Sequence, residues 1–180
     1  NIYDFNKKHP NLNIEGGDII VFDNDRICIG ISERTPLASI VKISSLIFKE
    51  GFKKIIAIDM PKKRALMHLD TIFTRINENE VLVFPPMLDN FSKEIYIYNK
   101  NGKNEILKNT NLAEVLREDG LNINFIKCGS DSKIMQQREQ WTDGANAFAL
   151  SPGKIIGYDC NIYTLKELEK NGYNIITSAT

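Results

Sequence analysis

Apolar positions fall into short Ile- and Val-rich runs separated by polar turns, with longer runs at helical spacing between some of them. Asp18 to Phe22 and Arg26 to Ser32 are two such runs, and Asp23-Asn24-Asp25 between them supplies turn chemistry, so this stretch predicts a hairpin. Thr35 then offers an N-cap and Pro36 suits the first helical position. Leu37, Ile40, Val41, Ser44 and Phe48 recur at helical spacing until Gly51 stops the run. Lys54 to Ile58 reads as a buried strand. The order is strand, strand, helix, strand.

That order returns near the end of the chain. Ala145 to Leu150 and Lys154 to Tyr158 read as strands around a Ser151-Pro152-Gly153 turn, followed by a helix from about Leu165 to Lys170 and a strand from Tyr173. The junctions correspond too. Glu15-Gly16 matches Asp143-Gly144, and Glu50-Gly51-Phe52 matches Asn171-Gly172-Tyr173. A fainter middle copy has strands at Leu69 to Arg75 and Val81 to Phe84, an insertion through Tyr96-Ile97-Tyr98, a helix over Leu112 to Glu118 and a strand at Ile123 to Ile126. The chain is therefore expected to be an α/β fold of three related units, at about residues 15–60, 67–128 and 138–178. Repeats of this kind point to a ring or an array in which neighbours bury each other's apolar faces. In a ring, the acidic-glycine pairs would converge on a central site.

Composition narrows the function classes. The 180 residues are 42% apolar, enough for a real core, and Lys+Arg and Asp+Glu both number 23. No stripe of cations suits a phosphate backbone, and the nearest, Pro61-Lys62-Lys63-Arg64, reads as a solvated loop, so nucleic acid is not expected. No apolar run approaches the roughly 20 residues of a membrane helix, and no signal-peptide pattern occurs, which predicts a cytoplasmic chain without a membrane partner. Cys28, Cys128 and Cys160 are odd in number and far apart, and are expected to be free thiols. Asn1 in place of Met and a strand running almost to the last residue suggest that both ends are cut.

Three segments carry candidate chemistry. In Met67-His68-Leu69-Asp70-Thr71, an extended strand would turn His68 and Asp70 to one face, placing an imidazole suited to proton transfer beside a carboxylate. No further His, Cys or carboxylate cluster completes a metal site around them. In Ile14-Glu15-Gly16-Gly17-Asp18, paired glycines leave Glu15 at the mouth of a strand, where a carboxylate can grip a planar guanidinium with two hydrogen bonds. In Ser32-Glu33-Arg34-Thr35, the arginine before a helix start suits a carboxylate. Each also has a plainer reading as a turn or a surface ion pair. Asp143 is either a second carboxylate for the same site or ordinary turn chemistry, and Trp141 and Phe148 read as core or unit-interface packing.

Taken together and in this order, Glu15-Gly-Gly-Asp18, Ile31-Ser-Glu-Arg-Thr35, Met67-His-Leu-Asp-Thr71 and Arg138-Glu-Gln-Trp-Thr-Asp-Gly-Ala-Asn146 resemble the bacterial arginine deiminases, over essentially the whole chain. That resemblance implies a pentein-type α/β-propeller, a ring of five strand-strand-helix-strand units of which about three are present, and an enzyme hydrolysing L-arginine to L-citrulline and ammonia through a covalent amidino-cysteine intermediate. It implies that His68 protonates the departing ammonia and later deprotonates water. Glu15 and Asp70 would hold the guanidinium, with Glu15 also passing protons, and Arg34 would bind the α-carboxylate at a substrate's length from the other three. No metal or organic cofactor is implied.

Departures accompany the resemblance. The family's nucleophilic cysteine lies in a glycine-rich segment beyond the last strand, and a further Asp and Arg of the site belong before Asn1, so the chain alone is expected to be inactive. Cys160 stands where relatives usually have Arg. Cys28 reads as a small buried hydrophobe, Cys128 and Cys160 lie at strand ends, and none is expected to replace the nucleophile. The rival readings are an agmatine deiminase or amidinotransferase of the same superfamily, or a non-catalytic arginine-binding or interaction module. Exposed unit faces would favour self-association into a homo-oligomer.

Overall fold

A computed structural model describes residues 3–88, 94–108 and 110–179. Among them the elements are, in order, α1 (Phe5–Lys8), β1 (Ile19–Val21), β2 (Arg26–Ile31), α2 (Leu37–Lys49), β3 (Lys54–Asp59), β4 (Phe73–Asn77), β5 (Glu80–Val83), β6 (Glu94–Asn99), β7 (Glu105–Lys108), α3 (Leu112–Glu118), β8 (Asn124–Lys127), α4 (Lys133–Gln140), β9 (Phe148–Ser151), β10 (Lys154–Tyr158), α5 (Ile162–Lys170) and β11 (Asn174–Ser178). Short 3-10 turns lie at Gly16–Asp18, Arg64–Leu66, Leu69–Thr71 and Pro85–Leu88. The chain forms two compact units. The first takes the described residues through Leu69 and from Glu94 to Thr110, and the second takes those from Asp70 to Leu88 and from Asn111 onward.

In the first unit the sheet order is β1-β2-β3-β6-β7. The hairpin forms because Asp23 Oδ1 accepts the amides of Asp25 and Arg26, both at 2.8 Å, which closes the turn before β2. β1 and β2 run antiparallel with Ile19 opposite Ile29, and β2 and β3 run parallel with Cys28 opposite Ile56. A parallel pair needs a crossover, which α2 supplies. Its buried face packs Ile40 and Ile47 onto Ile27, Ile29, Ile31, Ile55 and Ala57. Cys28, Ile56 and Ile58 are buried as well, so both faces of the central strands are apolar, as their unbroken hydrophobic runs require.

Three details differ from expectation. Helix α2 has Pro36 at its N-cap position without a side-chain cap, because the Thr35 hydroxyl is turned away to accept the Glu15 amide at 3.1 Å. Val41 is half exposed, and Ser39 is buried in its place, donating to the Asn13 carbonyl. The segment through Tyr96-Ile97-Tyr98, read as an insertion in the middle copy, is β6, and it pairs antiparallel with β3 of the first sheet.

The second unit holds two open three-stranded sheets, β4-β5-β8 and β9-β10-β11. In each, the first pair is antiparallel and the second parallel, the pairing also seen in β1-β2-β3. Ile76, Leu82, Ile126, Ala147, Ile155, Leu168 and Tyr173 make its core. α3 begins with a capping box in which the Asn111 side chain and Glu114 satisfy each other's amides. The strand expected over Leu69 to Arg75 begins only at Phe73. Trp141 and Phe148, expected to be packed, are 66% and 68% exposed, because Phe148 lies on edge strand β9, all of whose residues are exposed.

Candidate functional site

The site is built in the first unit from three separate segments of chain. Glu15 is extended (φ −111°, ψ 144°) just before the Gly16–Asp18 turn, so its side chain leaves the mouth of β1. His68 follows the Arg64–Leu66 turn, and Arg34 lies in the short loop between β2 and α2. Glu15 Oε2 is 2.5 Å from His68 Nε2 and 3.3 Å from Arg34 Nη1. An ionised carboxylate only accepts, so the imidazole presents its Nε2 hydrogen to Glu15. The hydrogen bond from His68, more than offsetting the opposing effect of burial, and the Arg34 guanidinium together hold the Glu15 carboxyl below the ordinary glutamate value. Arg34 also reaches Met67 Sδ with Nη2 at 3.7 Å.

Two expectations change here. Arg34 touches Glu15 directly instead of standing a substrate's length away. His68 and Asp70 do not share a strand, because Leu69–Thr71 is a 3-10 turn and the period-two alternation does not apply to it. Asp70 belongs to the second unit, where its carbonyl accepts the Thr74 hydroxyl at 2.9 Å.

Beneath the contact lies a buried carboxylate that sequence reasoning assigned no role. Asp18 has no exposed surface, and it accepts the Leu69 amide on Oδ1 at 3.0 Å and the Ser32 hydroxyl on Oδ2 at 2.7 Å. The Ser32 oxygen in turn accepts the amides of Arg34 and Thr35 at 3.1 and 3.0 Å. A polar residue directly abutting the apolar run Ile19-Ile20-Val21, together with a lone glycine inside the run Ile27 to Ile31, was the available signal.

Beside Arg34 a cleft of about 420 Å³ is lined by Arg34, Lys62, Lys63, Arg64, Leu66, Met67 and Glu33. Lys62 donates to the Ile31 carbonyl and lies 3.6 Å from Asp59. Among the described residues no group of three or more His, Cys, Asp or Glu is arranged to hold a metal ion. Among the described residues no helix is long and apolar enough to cross a membrane.

In the second unit, the segment Arg138 to Asn146 explains itself structurally. Glu139 is buried, and its carboxylate accepts the amides of Tyr163 and Thr164, both at 2.8 Å, and the Thr164 hydroxyl at 2.7 Å, so it caps the start of α5 in place of Asn161. Asn161 instead bonds Thr142 through both ends of its amide. Asp143 has φ 55° and closes a turn with Gln140 and Asn146, a backbone geometry unlike that of Glu15. Cys28 and Cys128 are buried and Cys160 is exposed. Burial pushes the Cys128 thiol up to about 12, with Glu139 adding to the effect against a hydrogen bond from Thr164.

The sequence matches the arginine deiminase family over residues 1–179. The chain belongs to the arginine deiminase family. It is 40% identical over 172 residues to the arginine deiminase of Mycoplasma capricolum subsp. capricolum, covering 93% of this chain and 42% of that protein. It is 36% identical over 173 residues to that of Streptococcus gordonii, covering 94% and 42%. This arginine deiminase family chain thus spans about two fifths of the length of the relatives it matches. Among solved structures it resembles an amidinotransferase of the saxitoxin biosynthetic pathway from Microseira wollei (TM-score 0.63, 15% identity, 94% of this chain and 41% of that one). It also resembles DDAH from Pseudomonas aeruginosa (TM-score 0.55, 17% identity, 93% and 49%). These two likenesses establish a shared mixed α/β fold.

Proposed function

We propose that this chain forms the acid-base and guanidinium-holding wall of an arginine deiminase that hydrolyses L-arginine to L-citrulline and ammonia. The observation that supports it most is that Glu15 is held against His68 while already gripping a guanidinium, that of Arg34. A carboxylate in this setting is a seat for a guanidinium, and the imidazole beside it is placed to exchange protons with the same group.

In this reading a cysteine thiolate supplied from outside the chain attacks the guanidinium carbon of arginine. His68 gives a proton to the departing ammonia, then takes one from the water that cleaves the amidino-thioether, which returns the thiolate and releases citrulline. Glu15 holds the substrate guanidinium and also relays protons. Arg34 exchanges Glu15 for the substrate's α-carboxylate, and the cations of the neighbouring cleft favour a carboxylate there. The surrounding fold is read as about three of the five units of a pentein-type α/β-propeller, at about residues 15–60, 67–128 and 138–178. The protein is read as cytoplasmic and self-associating.

An amidinotransferase reading draws support from one of the fold's neighbours, but the basic cleft beside Arg34 favours a substrate that carries a carboxylate, which also argues against agmatine. Citrulline formation from arginine should be measured for this chain and for a longer protein restoring the flanking segments. Turnover only by the longer protein is the expected result. Arginine binding without turnover by either would replace the proposal with a non-catalytic binding module.

A further inference from the structure

We propose that Asp18 is the positioning residue of this site, holding the segments that carry Glu15, Arg34 and His68 in register through one buried, acceptor-only carboxylate. The proposal rests on reading Glu15 and His68 as the pair that handles the guanidinium.

The three side chains come from segments far apart in sequence, so something other than local backbone geometry must set their spacing. Asp18 Oδ1 takes the Leu69 amide at 3.0 Å, fixing the peptide that follows His68. Asp18 Oδ2 takes the Ser32 hydroxyl at 2.7 Å. Ser32 Oγ already accepts two amides, from Arg34 and Thr35, so its hydrogen has one direction left and must meet an acceptor. Thr35 Oγ1 then accepts the Glu15 amide at 3.1 Å and completes the chain of contacts. Every link from Asp18 to the three site residues is therefore a hydrogen bond to the backbone beside them or to a side chain that holds it. Asp18 touches none of the three side chains itself, and both of its partners are donors, which is why a carboxylate suits the position and an amide does not.

The fold is cut to fit this group. A Cβ on Gly30 would sit 2.8 Å from Asp18 Oδ1, 2.8 Å from Met60 Sδ and 3.0 Å from Leu69 Cβ. The missing side chain of Gly30 is the space in which the carboxylate meets the Leu69 amide.

The test follows the Glu15 carboxyl by carbon-detected NMR titration of this chain, with the resonance assigned by Glu15→Gln. The charged groups facing Glu15 are His68 and Arg34, and their contact holds its titration below the ordinary glutamate value. Asp18→Asn sets an amide N–H₂ against one of two donors, and the Glu15 midpoint is expected to rise toward the ordinary value while the amide spectrum of α2 and β3 is unchanged. If Asp18→Asn does not fold, Ser32→Ala decides, since it cuts the link to Arg34 and Thr35 yet leaves the bond to Leu69. A rise in the midpoint is again expected. An unmoved midpoint in whichever of these variants folds overturns the proposal. The titration needs no turnover, so a failure of the longer protein to form citrulline would count against the arginine deiminase reading and leave this measurement standing.

Discussion

Buried carboxylates, thiols and glycines dominate this protein at the scale of single residues, because each has a neighbourhood with one solution. Gly30 is the sharpest case. Gly30→Ala forces a methyl into contacts of 2.8 to 3.0 Å with Asp18, Met60 and Leu69, and should destabilise the fold by about 1–3 kcal/mol, read as a lowered urea midpoint. A variant that melts like the parent would show that this region is looser than described. The thiols divide cleanly. With burial pushing Cys128 up to about 12, it holds its proton at pH 8, and Cys28 is shielded, so brief iodoacetamide treatment of the folded chain should label Cys160 alone by mass spectrometry. Early labelling of Cys128 would reopen it as a nucleophile. Glu15 and His68 were singled out in the sequence by a combination of four motifs, since each motif alone also reads as a turn or a surface ion pair. Asp18 was given no role, since its partners Ser32 and Leu69 are 14 and 51 residues away and only its place beside an apolar run hints at burial.

Elements here are set by their ends as much as by their apolar faces. α3 was legible to the residue, Leu112 to Glu118, because its capping box is written in four consecutive positions. α5 starts at Ile162, earlier than its apolar spacing suggested, because its cap is Glu139, on another helix. Glu139→Ala removes the acceptor of two helix amides and one hydroxyl in a buried place, and should cost about 2–4 kcal/mol. Faster hydrogen exchange at Tyr163 and Thr164 than in α3 would be its local signature, and unchanged exchange there would remove the capping role. The strand expected to carry both His68 and Asp70 shows the opposite limit. The run Leu69-Asp70-Thr71-Ile72-Phe73 has no strict alternation, and the β-branched and aromatic residues that suggest a strand sit in Thr71 to Phe73, next to where β4 begins.

At the scale of the whole chain, charge and apolar surface act together. Lys+Arg and Asp+Glu balance at 23 each and the isoelectric point is near 6.9, so charge repulsion between copies is weakest near pH 7. Trp141, Phe148 and Ile134 are all more than 60% exposed. Solubility should therefore pass through a minimum near pH 7 and recover on either side, read as turbidity at fixed concentration, and a flat profile would mean that neither factor governs association. The sequence by itself determined the strand-strand-helix-strand order near residues 18–58 and 145–178, the turn chemistry of Asp23 and Gly51, and the family, because these depend on residues a few positions apart or on motifs read in line, whereas α1, α4 and β7 were not read from it. The tertiary structure alone decided that β6 joins β3, that Arg34 rests on Glu15, and that Asp18, Ser32, Thr35 and Gly30 make the frame beneath them. The reason is physical. Strand partners and buried acceptors are chosen by which distant donors and apolar faces remain to be satisfied once the chain has folded, and that competition is not encoded in any single window of sequence.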